Sequence, residues 1–532
     1  MSKPIQRTCL RAALLLTALG AAAGCGERDE IWDAHIDGNI VTRGLTNAAA
    51  IIDPPANRAL LLPVNGDMQL EPVSLPIGKA FAAAATTTDG SHLLALSLGD
   101  VPRRTSEDEG PSLTVIADTP VPSVKQRYEL SDPLSGLAVD PESEFAVVFA
   151  GSGDTSFVQN PNELIFVELG RDPGANNPFP KTLRSFGGRP QALTFTPDLD
   201  VPGGQRRLLI VQTDRDIALV DLDDLTRPEI TIQPTGGPDA LVPAGVAVSD
   251  GDPERTDDTR IAIQFQADPS VIIVDLLPLA DGEESPQTFR AAPNVVHVGG
   301  TPSDISFVET DGGLRLAALV PARQSLMLVD PATGIATEVN LNSTFEKMSL
   351  ITNIVGATDE GSDVALLWSS SSSHIAFVAL GSTVGTPYKA VELLDLGEPV
   401  GQVFDVPAPN EHLKLLRSTS GYWLMVLDLL KRTASPIEAS TTTSITLADN
   451  GQRAWISGGS DVAQLDLGSL HPLNLKLSRG VHSLFDVKRG DGGRALVVLH
   501  AGGAVGATVL DADHPSLADS SEYVGLLLGG LK

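Results

Sequence analysis

The chain has 532 residues, of which 42% are hydrophobic and 20% charged, and its 67 acidic residues outnumber its 37 Lys and Arg residues. This composition is too apolar for a disordered chain, and a formal charge of −30 disfavours binding to nucleic acid or to anionic lipid surfaces. We therefore expect a folded protein, and the charge leaves cations, basic proteins and neutral sugars as compatible partners.

The first 25 residues have the layout of an export signal. Three cations precede an apolar stretch from Ala12 to Ala23, which ends just before Gly24-Cys25. This stretch is too short for a transmembrane helix, which needs about 20 apolar residues. Both cysteines of the chain lie in this segment, and the second of them is Cys25. A secretory signal without lipidation would also end in small residues, but it would not require the cysteine.

Ala22-Ala23-Gly24-Cys25 resembles the bacterial lipobox, although Ala22 stands where that motif usually has leucine. The resemblance implies a cleaved signal peptide over 1–24 and acylation of Cys25, followed by a short tether to residue 46. Acylation by two or more chains anchors a protein stably to a lipid bilayer. Gly26 follows the cysteine, where an acidic residue would imply retention at the inner membrane. We therefore expect a lipid-anchored protein of the cell envelope, at the outer membrane.

After cleavage, 34 Lys and Arg residues face 67 acidic ones, because the signal carries three positive charges and no negative charge. The mature charge is 34 minus 67, or −33. No cysteine other than Cys25 remains to form a disulfide, so packing and hydrogen bonding must stabilise the fold.

From about residue 47, short apolar runs alternate with turn residues, which predicts a nearly all-β chain. One five-residue sequence pattern occurs three times, as Ile217–Asp221, Val271–Asp275 and Leu326–Asp330, with the aspartates 54 and 55 residues apart. Similar strands end in Asp428, Asp466 and Asp511. An aspartate at each strand end is expected to cap the following turn.

The unit around each copy of this pattern contains four predicted strands, the third of which ends in the aspartate. The clearest copy begins at Ser444, and its first turn contains Asn450-Gly451, a strong hairpin signal. Ten such units are predicted, with first strands near Ala48, Ala82, Gly136, Ala192, Gly245, Asp304, Ile351, Val403, Ser444 and His482.

Four-stranded units of about 40 to 55 residues are typical of a β-propeller, in which each blade packs on its neighbours. We predict an all-β fold over 47–532: a β-propeller of four-stranded antiparallel blades, in one large ring of about 8 to 10 units. The units at Ala48 and Ala82 are weak enough to be half-blades, and two rings are an alternative. A parallel β-helix and a string of sandwiches are less compatible with the spacing.

The repeat resembles bacterial propellers of the YVTN surface-protein and quinoprotein-like type. In those repeats a strand ending in Val-Asp, here Val329-Asp330, precedes a turn such as Pro331–Gly334. The resemblance covers most of the mature chain but concerns scaffold residues, so it implies a fold and not an activity.

No sequence pattern identifies a catalytic or cofactor-binding residue. The chain lacks the nucleophile-elbow, phosphate-loop, dinucleotide and paired-cysteine motifs, and its nine histidines are scattered. His374 follows the serine run Ser369–Ser373, for which a polar hairpin turn is favoured over a Ser–His catalytic pair. Tyr422-Trp423 would place one ring in the core and one toward solvent, or would line a rim.

The densest carboxylate cluster supplies the candidate Ca²⁺ ligands, because oxygen-rich loops hold this cation. A solvated acidic loop is the alternative, since the spacing does not match an EF-hand, and Asp198 and Asp200 form a smaller version. The cluster comprises Asp250, Asp252, Glu254, Asp257 and Asp258.

Three functions are compatible with this pattern. The first is a membrane-anchored lipoprotein whose propeller is a non-catalytic binding scaffold for a protein or an envelope component. The second is a propeller enzyme of the lactonase, glycosidase or quinoprotein-like kind, with its site at the channel mouth. The third is an assembly factor for outer-membrane proteins. Architecture alone does not choose among them.

Overall fold

The computed structural model of the chain describes residues 40–119, 121–151, 157–183, 188–233, 242–250, 258–282, 285–351, 364–382, 387–438, 442–448, 451–500, 502 and 505–530. These residues contain 42 β-strands, three short 3-10 helices and no α-helix. The 3-10 helices are Pro321–Arg323, Leu517–Asp519 and Leu526–Gly530.

The strands extend along the chain from Val41 to Tyr523. The first half of them are β1 Val41–Gly44, β2 Ala48–Asp53, β3 Arg58–Pro63, β4 Val73–Pro76, β5 Phe81–Thr86, β6 His92–Ser97, β7 Ser112–Ala117, β8 Ser123–Glu129, β9 Gly136–Val139, β10 Phe145–Phe149, β11 Glu163–Glu168, β12 Phe179–Thr182, β13 Pro190–Phe195, β14 Leu199–Val201, β15 Gly204–Arg206, β16 Leu208–Thr213, β17 Ile217–Asp221, β18 Ile230–Ile232, β19 Pro243–Ser249, β20 Arg260–Phe265 and β21 Ser270–Pro278. The second half are β22 Phe289–His297, β23 Asp304–Thr310, β24 Gly313–Val320, β25 Ser325–Val329, β26 Ala336–Asn340, β27 Lys347–Ile351, β28 Val364–Trp368, β29 His374–Ala379, β30 Val391–Asp395, β31 Val400–Asp405, β32 Leu413–Ser418, β33 Leu424–Asp428, β34 Thr433–Ile437, β35 Ser444–Leu447, β36 Arg453–Gly458, β37 Asp461–Asp466, β38 Pro472–Lys476, β39 Val481–Lys488, β40 Arg494–His500, β41 Ala507–Asp511 and β42 Ser521–Tyr523.

The strands form ten four-stranded antiparallel sheets and one two-stranded hairpin, β14–β15. Nine sheets consist of four consecutive strands, and the fourth sheet has the order β13-β16-β17-β18 because the hairpin is inserted after its first strand. Each sheet is a propeller blade, and we number the blades 1 to 10 in chain order. The predicted all-β propeller with four-stranded antiparallel blades is therefore confirmed.

The second and third strands of each blade are the most buried. β2 and β16 are buried at every position, whereas the outer strand β8 alternates between exposed and buried residues. Strands covered on both faces need apolar side chains at every position, whereas a half-exposed strand alternates. This difference explains why runs such as Leu208–Thr213 are nearly continuous in apolar residues.

Blades 1, 2 and 10 belong to one compact unit, made of residues 1–129 and 479–532. Within it, blade 10 packs on blade 1, and Ile51 and Val497 share a hydrophobic cluster although they are far apart in the chain. The backbone N–H of Lys488 donates to the carbonyl of Thr46 over 2.8 Å. The first and last blades of the chain therefore contact each other directly.

Blades 3 to 9 belong to the second compact unit, residues 130–478. Each hydrophobic cluster of this unit contains side chains from two consecutive blades, from blades 3 and 4 through to blades 8 and 9. A single blade cannot bury both of its apolar faces, so the packing between blades supplies the core.

The two ends of a blade differ in the chain segments that they expose. At one end, which we call the cap end, lie the turns from the first to the second strand and from the third to the fourth. At the other, the rim end, lie the turn from the second to the third strand and the connections to the neighbouring blades. In five blades the first strand has a β-bulge near the rim end, at Ala82, Gln191, Ala244, Gly401 and His482.

Nine of the ten predicted first strands are correct, and the first one is wrong. Ala48 begins the second strand of blade 1, because β1 starts at Val41 and pairs with β2. Only four residues long and containing Arg43, β1 gives too weak an apolar pattern for recognition. The half-blade interpretation of the units at Ala48 and Ala82 is also wrong, since blades 1 and 2 each have four strands.

Candidate functional site

Five of the six repeated aspartates cap turns at the cap end, as predicted, and Asp275 does not. Asp330 shows the arrangement: its Oδ1 accepts the backbone N–H groups of Ala332 at 3.0 Å and Thr333 at 3.1 Å. Equivalent bonds within the following turn are made by Asp221, Asp428, Asp466 and Asp511. Asp275 instead accepts from Arg260 Nε at 2.7 Å, because β21 continues beyond it.

These carboxylates are occupied by hydrogen bonds that stabilise the fold. The hydroxyl and the backbone N–H of Ser469 lower the pKa of Asp466, because both bonds favour the charged form. Burial raises the pKa of Asp221, where it outweighs the attraction of Arg227 and Arg206. A residue that recurs once per blade in the same turn serves the scaffold, so the cap end offers no reactive carboxylate of this series.

A buried arginine joins blades 3 and 4 at the cap end. Arg207 Nη1 lies 3.0 Å from Asp140 Oδ2 and 2.6 Å from Glu142 Oε2, and its Nη2 binds Glu144. The Arg207 and Asp140 side chains are 6% and 2% exposed, whereas the two glutamates are more than half exposed. Burial opposes the charge of Arg207, but the three carboxylates outweigh it and raise its pKa. This cluster, which we call the Arg207 clamp, therefore links blades 3 and 4 through ion pairs.

Two of the five candidate calcium ligands lie within the described residues. Asp250 Oδ1 accepts the backbone N–H of Asp200 at 2.6 Å, so the two acidic segments singled out in the sequence meet in space. Asp258 is buried at the start of the segment that leads into β20. Asp252, Glu254 and Asp257 lie outside the described residues, as does the predicted lipidation site Cys25. In the described part of the chain, no three His, Cys, Asp or Glu side chains are grouped to hold a metal ion.

The pairs Ser373–His374 and Ser91–His92 lack the geometry of a catalytic triad. His374 begins β29 opposite Asp395, and the hydroxyl of Ser373 donates to that aspartate at 2.8 Å instead of contacting the imidazole. Ser91 Oγ lies 2.6 Å from His92 Nδ1, but Asp89 binds this serine and does not orient the histidine. The serine run before His374 forms the turn between β28 and β29, as predicted.

The rim end of blades 7 and 8 has a different composition. We define the blade 7–8 rim as Glu346, Ser369–Ser373, Asp395–Pro399 and Thr419–Trp423. It contains seven hydroxyl side chains of serine and threonine, three carboxylates, one tyrosine, one tryptophan and no Lys or Arg. No comparable accumulation of hydroxyl groups was recognised in the sequence beyond the serine run itself.

Backbone hydrogen bonds make the rim one continuous surface. The N–H of Leu396 donates to the carbonyl of Ser373 at 2.9 Å, and the N–H of Thr419 donates to the carbonyl of Pro399 at 3.1 Å. The connection between the blades is therefore fixed to the turn of blade 7 on one side and to the turn of blade 8 on the other. Beneath it, Trp368 and Trp423 pack on the same hydrophobic cluster.

The same carboxylate–hydroxyl arrangement occurs in both blades. Glu346 accepts the hydroxyl of Ser370 at 2.9 Å and that of Ser371 at 3.4 Å. Glu398 accepts the hydroxyl of Ser420 at 3.0 Å. Each glutamate lies shortly before the first strand of its blade, where the polar residues gave no repeat signal in the sequence.

Asp395 completes the polar part of the rim. Its Oδ1 accepts the backbone N–H of Gly397 at 3.0 Å and the hydroxyl of Ser373. These two bonds lower the pKa of Asp395, the backbone bond contributing more. At neutral pH Asp395 is therefore ionised, and its carboxylate is held in a fixed position.

Tyr422 and Trp423 divide between solvent and core. The Tyr422 side chain is 74% exposed, whereas Trp423 packs on the cluster between blades 7 and 8. The predicted alternation of the two rings is thus confirmed, and it places the exposed ring on the rim. An exposed aromatic ring in the same turn as hydrogen-bonding side chains is suited to contact with a ligand.

No protein-family model matches the chain, and no curated protein matches it in sequence. Among solved structures, the dihydro-heme d1 dehydrogenase NirN in complex with DHE has 11% identity and a TM-score of 0.38, covering 82% of this chain and 72% of that one. Sqt1 of Saccharomyces cerevisiae has 12% identity and a TM-score of 0.39, covering 72% and 96%. The Dos1 propeller has 13% identity and a TM-score of 0.38, covering 70% and 91%.

These likenesses are too distant to carry a functional argument, and the assignment of the fold rests on the ten sheets themselves. Among the described residues, none of the helices has the length and apolar character needed to cross a bilayer.

Proposed function

We propose that the chain is a lipid-anchored protein of the bacterial cell envelope whose propeller is a non-catalytic binding scaffold. The blade 7–8 rim is the observation that supports this role most directly. It combines an exposed aromatic ring with hydrogen-bonding groups on turns that the blades hold rigidly. Such a surface suits recognition of a protein or an envelope component.

The anchoring part of the proposal rests on the sequence around Cys25. Acylation there would tether blade 1 to a membrane through the residues that precede Val41. Fifteen residues lie between Cys25 and Val41, so the span is at most about 55 Å when fully extended. A propeller on such a tether would bind its partner close to the membrane surface.

Two variants test the two parts separately. Cys25→Ser should move the protein from the membrane fraction to the soluble fraction of cells, and continued membrane fractionation would contradict the anchor. For the scaffold, immobilised full-length protein is incubated with envelope extract and compared with Tyr422→Ala. We expect an envelope component to be retained by the parent and reduced in the variant, and equal retention by both would contradict the role of the rim.

A further inference from the structure

We propose that the blade 7–8 rim binds a neutral glycan chain, an inference that rests on the proposed scaffold function and names its ligand class. The charge of the surface gives the first reason. Glu346, Asp395 and Glu398 are the charged side chains of the rim as defined above, and each already accepts a hydroxyl group. The nearest cations along the chain are engaged elsewhere, since Lys347 attracts Asp304 of blade 6 and Arg417 Nη1 donates to the carbonyl of Thr443 at 2.6 Å. The three carboxylates therefore dominate the charge of the rim and disfavour an anionic ligand.

The hydrogen-bonding capacity of the rim is mostly that of an acceptor. Ser370, Ser371 and Ser420 each have one hydroxyl proton, and each donates it to a glutamate. Ser420 Oγ also receives the backbone N–H of Tyr422 and contacts Ser418 Oγ, so the acceptor capacity that remains for a ligand is that of the carboxylates and of the Ser370 and Ser371 oxygens. A polyhydroxylated ligand supplies many donors in a small area and carries no charge of its own.

These acceptors are arranged before any ligand arrives. Ser369 Oγ lies 2.8 Å from Ser371 Oγ, and Ser418 Oγ lies 2.9 Å from Ser420 Oγ, so each turn contains a chain of hydroxyl groups that ends on a glutamate. Linked hydrogen bonds polarise one another, which strengthens the bonds within each chain and fixes the glutamate at its end. Little side-chain entropy remains to be lost on binding.

Tyr422 supplies the apolar contact that a sugar ring needs. Its side chain is 74% exposed, and its backbone N–H is held by Ser420 Oγ at 3.4 Å in the same turn as the acceptor group. Tyr422 therefore belongs to the same hydrogen-bonded turn as Ser420, whose hydroxyl is bound to Glu398, so an aromatic contact and polar contacts are available to one sugar chain. A protein partner is less well matched, since protein interfaces rely on a buried apolar centre, and Tyr422 is the one strongly exposed apolar side chain among the rim residues defined above.

The test uses the full-length protein in a detergent without a sugar headgroup, with maltohexaose, cellohexaose and chitohexaose as neutral probes and hexagalacturonate as the anionic probe. Binding is measured by isothermal titration calorimetry and by saturation-transfer NMR. We expect at least one neutral probe to bind in the micromolar to millimolar range and hexagalacturonate to bind more weakly.

Tyr422→Ala should weaken that binding by about ten-fold, through loss of the stacking contact, and Glu398→Gln should weaken it through loss of the charged acceptor. The matched control is Ile335→Ala, which removes a side chain that is 67% exposed at the cap end of blade 6. This variant should bind like the parent. Because Tyr422 and Ile335 are both exposed, neither change disturbs folding, and circular dichroism verifies this.

Three outcomes overturn the inference. Absence of binding by every neutral probe at millimolar concentration rejects the glycan class. Binding that is the same for the parent and Tyr422→Ala rejects the location. Retention of an envelope protein that depends on Tyr422, without binding of any oligosaccharide, makes the rim a protein-binding surface; the scaffold function then stands although its ligand class is wrong.

Discussion

The Arg207 clamp between blades 3 and 4 allows a stability prediction worked from the structure. Replacing Arg207 with Met keeps most of the side-chain volume and removes the charge. Asp140, whose side chain is 2% exposed, is then left buried without its partner at 3.0 Å. Removing one member of a buried ion pair typically costs about 3–5 kcal/mol, and we expect a loss of this size.

Glu142 and Glu144 provide the internal controls. Their side chains are 53% and 58% exposed, so their attraction to Arg207 is screened by solvent. Each of Glu142→Gln and Glu144→Gln should therefore cost less than about 1 kcal/mol. Comparing the loss of stability in Arg207→Met with that in the two glutamate variants shows whether the cost depends on the burial of the partner carboxylate or on the number of ion pairs.

The double variant Arg207→Met with Asp140→Asn separates a buried charge from general disruption of packing. Asparagine keeps the oxygen that accepts the N–H of Glu142 at 3.3 Å but needs no cation. It should recover a large part of the stability lost in the single variant.

Urea unfolding followed by tryptophan fluorescence gives the stability of each protein, since Trp368, Trp423 and Trp455 all lie in the same compact unit. If Arg207→Met costs no more than Glu142→Gln, or if Asp140→Asn gives no recovery, the account of the clamp is refuted.

Three further predictions concern pH and calcium. Hydrogen bonds to Ser469 lower the pKa of Asp466 below its ordinary value of 3.8. The contribution of Asp466 to stability is therefore present above that value and is lost as pH falls through the lower pKa of the folded state. Asp466→Asn should flatten the decrease in urea midpoint below pH 4, and an unchanged decrease would contradict this. Burial is the main reason that the pKa of His500 lies below 6.5, so the unfolded chain takes up the proton first and stability falls as pH drops from 6.5. The melting temperature of His500→Gln should therefore change less between pH 7.5 and 5.5 than that of the parent. Equal changes would show that the histidine is not responsible. Calcium in the millimolar range should raise the melting temperature if the segment 250–258 binds it, and Asp250→Asn should remove the rise; a melting temperature that does not respond to calcium rejects the site.

The sequence alone was sufficient for the blade and its repeat. Strands buried on both faces require continuous apolar runs, and Asx-type caps require aspartate at a fixed place. Leu326–Asp330 and its copies show both features, so the sequence identifies the third strand of the blade. The polar four-residue strand β1 escaped recognition because it contributes little apolar surface. The predicted lipid anchor at Cys25 likewise depends on sequence alone.

Only the tertiary structure brings the residues of the blade 7–8 rim together. Glu346 is separated from Ser370 by 24 residues and Glu398 from Ser420 by 22, and in each case the two groups meet because the connection before one blade lies beside a turn within it. The same is true of Asp250, which meets Asp200 across two blades, and of Arg207, which meets Asp140. Periodicity along the chain reports what each strand buries, whereas hydrogen bonds between turns depend on how the blades pack, which no local pattern records.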